Sequence, residues 1–416
     1  MTAISTARLS AGADLIVEPM PGVRSAAMTW LLPAGSAREP AAFEGLGAMW
    51  ADLLFRGAGG LDARQHAGAL DRLGVSRSAD GATHTFRITG TMLGDRVVRA
   101  LPLFADMVLR PRFDPADIGP VRDLCLADLA ALADDPHERV MILAKARHLP
   151  APLNRSGLGT PETLAAIDAP IARAQWRAQA APAGSAIAVA GAVEPEPVRD
   201  ALERLLEGWT GEPTAFEAAG PARRGREHLD DDTNQVHIAV VHDAPPESAP
   251  ECVLERVLTS VLSGGMSGRL FTEVREKRGL VYSVSARYAA GRDDGRVVAY
   301  AGTTPERAPE TLRVLLGELG RPTAEGDAGG IDESEFRRAV TGLKSSLVMS
   351  GESTAARASA LAGDWFTLGR PRTLAERLAE IDAVTLDALN AYAAKRTLGE
   401  LTIASIGPAG SMDAAG

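Results

Sequence analysis

Chemistry at a metal or a nucleophile would have to start from the chain's seven histidines and two cysteines. His237 and His242 lie five apart on a run that reads as a strand, and odd spacing sends them to opposite faces, so they cannot share one metal ion. His66, His84, His137, His148 and His228 stand alone. No H-x-x-x-H or H-x-x-E-H pair occurs, so the spacing that lets two imidazoles grip zinc from one helix face is missing. Each histidine therefore reads as a surface or core residue. Cys125 and Cys252 sit in apolar helical runs and read as small buried hydrophobes. Two thiols with no histidine beside them do not make a structural zinc site. There is no G-x-x-x-x-G-K-[ST] phosphate loop and no G-x-S-x-G elbow. The glycine-rich stretch Ser263–Gly268 joins helix to helix and does not match G-x-G-x-x-G, so it is no phosphate cradle.

The elements around these residues repeat. In the first half, short apolar runs at 13–20 and 25–35 read as strands. Leu46, Met49, Trp50, Leu53 and Leu54 recur at helical spacing, with Gly57 as a stop, and a second helix ends at Gly74. A hairpin over 75–92, an amphipathic helix ended by Pro111 and one or two longer helices follow. The second half gives the same order: a strand at 234–245, a helix ending in glycines, a short helix ending at Gly279, a hairpin turning on Gly291–Gly295, and two helices. Residues 213–228 lack periodicity and read as a linker. The expected fold is α+β: domains 1–212 and 229–416, each a mostly antiparallel sheet with helices on one face.

Bulk properties exclude several classes. A net charge of −10 with scattered arginines argues against nucleic acid as a partner. No basic start followed by an apolar run opens the chain, and no stretch approaches a membrane-spanning length, so a cytoplasmic protein with no membrane partner is expected.

Two segments carry a resemblance. Glu44–Gly60 (EGLGAMWADLLFRGAGG) resembles the signature helix of the pitrilysin/insulinase metallopeptidases, which include the mitochondrial processing peptidase and typically read G-L-A-H-F-x-E-H-M-L-F-K-G-T there. Gly45, Leu46, Leu54, Phe55, Arg56 and Gly57 stand at matching positions. The chemistry does not: the first zinc histidine falls on Ala48, the general-base glutamate on Ala51, the second histidine on Asp52, and the third ligand, a later glutamate, on Asp128. Ala48 has no donor atom, two carboxylates make a poor zinc site, and without the glutamate no base polarises a bound water. Leu262–Tyr288 (LSGGMSGRLFTEVREKRGLVYSVSARY) closely resembles the second signature of the same family. Its arginine and tyrosine fall on Arg275 and Tyr282.

The resemblance implies half of a clam shell, with two homologous domains facing each other. It also implies that Arg275 and Tyr282 bind substrate backbone and donate hydrogen bonds to the reacting carbonyl. From spacing alone, without the resemblance, Arg275 reads as a solvated charge and Tyr282 as a core-facing strand residue. Some bacterial members divide the site between two chains. On that pattern this chain holds no zinc and is inactive alone. A sister subunit bearing H-x-x-E-H supplies zinc and the base, and the substrate is a peptide adding a strand to a sheet edge. The alternative is a scaffold subunit of an oligomeric complex with no peptidase activity.

Overall fold

The computed structural model describes residues 3–323 and 330–412. In chain order the elements are β1 (Ser5–Arg8), β2 (Asp14–Pro19), β3 (Ser25–Leu32), α1 (Leu46–Leu53), β4 (Gly57–Ala58), β5 (Leu61–Asp62), α2 (Ala63–Arg72), β6 (Ser76–Gly81), β7 (Phe86–Leu93), α3 (Val97–Leu109), α4 (Pro115–Ala133), α5 (Pro136–His148), α6 (Pro161–Ala165), α7 (Ala169–Gln179), β8 (Ala186–Gly191) and α8 (Pro195–Leu205). Then come β9 (Gly225–Asp230), β10 (Val236–Ala244), α9 (Cys252–Ser263), β11 (Val281–Ala290), β12 (Gly295–Thr303), α10 (Ala308–Gly320), α11 (Glu333–Gly351), α12 (Thr354–Leu368), α13 (Leu374–Asp382), α14 (Leu386–Lys395) and β13 (Thr402–Gly407).

These elements form two compact units, and neither is a continuous piece of sequence. The first comprises residues 1–131, 151–219 and 350–371. The second comprises residues 132–150, 220–349 and 372–416. So α5, from the first half of the chain, belongs to the second unit, and α12, from the second half, belongs to the first. Besides the passage at 219/220, inside the 213–228 segment read as a linker, the chain passes between the units at 131/132, 150/151, 349/350 and 371/372. Residues 213–224 are irregular apart from an isolated bridge at Ala219. The end of the expected linker is β9, a polar strand too short to show a period, which pairs in parallel with β13.

The first unit is built on a six-stranded sheet in the order β1-β2-β8-β3-β7-β6. Its pairs are antiparallel except β2 with β8. Period-two alternation divides the side chains of β3 and β8 between two layers. Met28, Trp30, Ile187 and Val189 face the main core, to which α1, α3, α4 and α7 contribute. Ala27, Leu31, Ala186, Ala188 and Ala190 face the other way, against Ala358, Leu361 and Ala362 of α12. A strand covered on both faces must be apolar on both, and all six residues of β8 are buried. Polar contacts lock α12 in place: Arg357 pairs with Glu18, and Trp365 Nε1 donates to Asp14 Oδ2 at 3.0 Å.

The second unit has a five-stranded sheet in the order β11-β12-β10-β13-β9. Val236, Ile238, Val240, Val297, Ala299 and Ala301 face a core shared with α9 and α10. Ala239, Val241, Ala404 and Ile406 face Val140 and Ala144 of α5. Arg147 holds that helix by donating to the carbonyls of Arg223 and Arg224 and pairing with Glu227 at 2.6 Å. The α+β class and the two sheet-and-helix layers agree with the sequence reading. The added feature is one helix on the opposite face of each sheet.

Candidate functional site

The α1 helix carries three of the positions singled out in the sequence, Ala48, Ala51 and Asp52. Its buried side, Leu46, Met49, Trp50 and Leu53, locks into the first core. Trp50 stacks edge-on against Trp176 with ring centroids 5.1 Å apart and donates through Nε1 to the carbonyl of Ala172 at 3.2 Å. On the adjoining side, Ala48 and Ala51 are half-buried and pack against the same core. Asp52 is half-buried, and Asp128 on α4 is exposed. Both carboxylates lie near the buried Cys125 thiol, which burial, and then Asp52 and Asp128, push up to about 11. The thiol is therefore protonated and inert near neutral pH. No group of three His, Cys, Asp or Glu side chains able to hold a metal ion occurs among the described residues. The residues at Ala48, Ala51, Asp52 and Asp128 do not fit zinc.

The start of α1 is organised by a residue that motif reading missed. Gly45 precedes the helix at φ +99°, and a Cβ there would meet Leu164 Cδ2 at 2.8 Å and the Leu158 carbonyl oxygen at 2.9 Å, so only glycine fits. Gly45 offers no side chain as a cap. Glu39 takes that place: its two carboxylate oxygens accept from the N–H groups of Gly45 and Gly47, both at 2.8 Å. Burial raises the Glu39 carboxyl to about 7, against the lowering effect of those two N–H groups and of Arg155. An acidic residue six positions before a helix that begins on glycine was the available signal.

In the second unit, Arg275 and Tyr282 stand on two local irregularities. Arg275 lies in a π-helical turn, Phe271–Glu276, a form often found at functional sites. Leu270 and Val274 anchor this turn in the core. Its guanidinium carbon sits 4.9 Å from the centroid of the Phe271 ring. Glu273 is engaged by Lys277 at 2.6 Å and Arg278 at 2.8 Å, so it does not neutralise Arg275. The turn ends at Gly279, φ +60°, whose N–H returns to the Arg275 carbonyl at 3.0 Å.

Tyr282 sits at a β-bulge at the start of β11. The register passes from Val281 opposite Thr303 to Ser283 opposite Gly302, leaving Tyr282 as the extra residue. Val284, Ala286 and Tyr288 face the helix-covered core. Unbroken alternation would put Tyr282 there too and Val281 outside. The bulge reverses both: Val281 is 7% exposed and Tyr282 is 65% exposed. The reading of Tyr282 as a core-facing strand residue is thereby corrected. β11 is an edge strand, but the N–H of Ala286 already donates to Ser263 Oγ at 2.9 Å, which blunts the middle of that edge.

Five of the seven histidines make internal hydrogen bonds. His242 is fully buried and its Nε2 accepts from Arg396 Nη2 at 2.8 Å. Arg396 also holds the buried Glu255 at 2.9 Å. His237, on the other face of β10, contacts the Tyr300 hydroxyl at 2.8 Å through Nδ1. His66 meets the Leu103 carbonyl at 3.2 Å, His148 the Thr402 hydroxyl at 3.0 Å and His228 the Ser405 hydroxyl at 2.9 Å. Cys125 and Cys252 are both free and buried. Among the described residues, no helix is long and apolar enough to cross a membrane.

The chain is thus two layered sheet-and-helix units, one containing the glycine-started α1 and one presenting the exposed Arg275 and Tyr282. The chain belongs to the M16, or pitrilysin/insulinase, peptidase family. Residues 16–159 match the family model described as "Insulinase (Peptidase family M16)", and residues 176–343 match "Peptidase M16 inactive domain". An uncharacterized zinc protease of Mycobacterium leprae is 30% identical over 396 residues, covering 92% of this chain and 87% of that one. Among solved structures, a peptidase M16 inactive domain from Pseudomonas fluorescens superposes with a TM-score of 0.87 at 19% identity, covering 97% of this chain and 98% of that one. A chain of Complex III2 from Candida albicans superposes with a TM-score of 0.82 at 18% identity, covering 97% and 96%. At these identities the superpositions establish the fold alone.

Proposed function

We propose that this chain is the non-catalytic, substrate-binding subunit of a two-chain zinc endopeptidase acting on peptides. One observation carries the reading. A β-bulge turns Tyr282 out of the core to 65% exposure, seven residues along the chain from the exposed Arg275, in a chain whose α1 has no histidine and no general-base glutamate. A phenol and a guanidinium presented to solvent contribute nothing to the core and are suited to donate to a peptide carbonyl as it gains charge. The sister subunit, bearing H-x-x-E-H, supplies the metal and the base. In this chain, Arg275 orients the peptide backbone and Tyr282 donates its hydroxyl proton in a hydrogen bond to the carbonyl oxygen.

The experiment is mixing. This chain is co-expressed with an H-x-x-E-H homologue from the same source, and cleavage of a quenched fluorescent peptide is followed with and without a chelator. Cleavage by the mixture alone, stopped by chelation, supports the reading. Cleavage by this chain alone overturns the assignment of Ala48, Ala51 and Asp52. If the two associate and nothing is cleaved, the scaffold alternative takes its place.

A further inference from the structure

The opposite face of the second sheet is only partly covered. The α5 helix packs over β10 and β13 and reaches Tyr300 of β12. On the β11 side, the residues facing the same way as the exposed Tyr282 are Ser283, Ser285, Arg287 and Ala289, with Ser283, Arg287 and Ala289 exposed. This strip is mostly polar, whereas the part under α5 is built from alanine, valine and isoleucine.

The sequence leading into and along this strand carries more positive than negative charge. Residues 273–290 carry Arg275, Lys277, Arg278 and Arg287 against Glu273 and Glu276, in a chain whose net charge is −10. Glu273 is shared by Lys277 and Arg278. Arg275 and Arg287 have no carboxylate partner among the described residues, and Arg287 stands across the ladder from the apolar Val298. An exposed arginine with no partner, five residues along the strand from Tyr282, lies about 15 Å from it, or four to five residues of an extended peptide.

We propose that Arg287 is a specificity-determining residue, and that it selects peptides bearing a carboxylate four to five residues from the bond presented at Tyr282. This rests on the reading of Tyr282 given above. The shared chemistry is a carboxylate, from an acidic side chain or a peptide C-terminus, met by a planar guanidinium. Arg287 touches no reacting atom, so it acts on binding and leaves the chemical step alone.

The test uses the complete two-chain complex and matched quenched peptides. One set carries Glu or Gln four and five residues to either side of the cleaved bond. The other ends in a free carboxylate or an amide. The expected result is a two- to fivefold preference, read in KM, for Glu over Gln or for the free terminus over the amide, about what an exposed ion pair provides. The set showing the preference identifies the source. Arg287→Ala abolishes it, Arg287→Glu reverses it and Arg287→Lys keeps part of it. Tyr282→Phe lowers kcat and leaves the ratio unchanged. Equal rates for all wild-type pairs, or a preference that survives Arg287→Ala, overturns the proposal while the two-chain reading stands. If the mixture cleaves nothing, that reading fails. The proposal is then judged by fluorescence anisotropy of labelled Glu and Gln peptides on this chain, where equal affinities overturn it.

Discussion

Arg357 on α12 and Glu18 on β2 form an ion pair at 2.6 Å, with their side chains only 4% and 14% exposed. It ties a helix from the end of the chain to a strand from its beginning. Breaking a buried pair from one side strands a charge, at about 3–5 kcal/mol, whereas replacing both partners with apolar groups is close to neutral. Arg357→Met or Glu18→Leu alone should lower the urea midpoint sharply, and the double variant should recover most of the loss. A double variant as unstable as the sum of the singles would show that the two residues act separately.

Tyr282 and Arg275 are exposed, so their removal should not alter folding. In the mixed complex, Tyr282→Phe and Arg275→Ala should each lower kcat/KM by roughly 10- to 1000-fold, on the scale of lost oxyanion donors. Circular dichroism and thermal midpoints should match the parent. Unchanged kinetics in both variants would remove the role assigned to the pair.

Glu39 and His242 respond to pH in opposite senses. Burial raises the Glu39 carboxyl from 4.5 to about 7. Between those values the unfolded chain has released a proton the folded chain keeps, so stability falls as pH rises, by about 3 kcal/mol in all. Burial and Arg396 lower His242 from 6.5 to about 4, so across that window stability rises with pH by a similar amount. From pH 4.5 to 6.5 the two slopes offset each other. Glu39→Gln removes the falling slope and also loses one of two acceptors for the N–H groups of Gly45 and Gly47. Its unfolding free energy should therefore climb across pH 4.5–6.5 where the parent's is flatter. Parallel profiles for parent and variant would contradict the buried, half-neutral Glu39.

The alanine face under α12 sets a size limit. Ala188 is fully buried against Ala358 and Ala362. Ala188→Leu should overpack this layer and cost about 1–3 kcal/mol, measured by urea unfolding. Exposed Leu93, at the end of β7, should tolerate Leu93→Ala with a change near zero.

Much of this architecture was legible in the sequence because local signals carried it. The hairpin around Gly291–Gly295 appears as β11 and β12, and the helix stop at Gly279 closes the π-turn. His237 and His242 fall on opposite faces of β10, as their odd spacing required. What was not legible depends on pairing or on distance along the chain. Strict alternation would place Tyr282 inside, and only the register with β12 reveals the bulge. Glu39 caps α1 across a loop that carries no cap signal of its own. The alanine-lined face of β8 has its reason in α12, which comes from residues 350–371, far along the chain.

That late arrival bears on how the protein is made. A ribosome releases the chain in order, and the first unit lacks α12 until some 150 residues after its other parts have emerged, roughly 8–30 s of synthesis. Through that interval one side of its sheet is bare. The side left waiting is the one lined mostly by alanines, which offers little grease to neighbouring nascent chains, while the bulky tryptophans and phenylalanines are sheltered on the side that closes early.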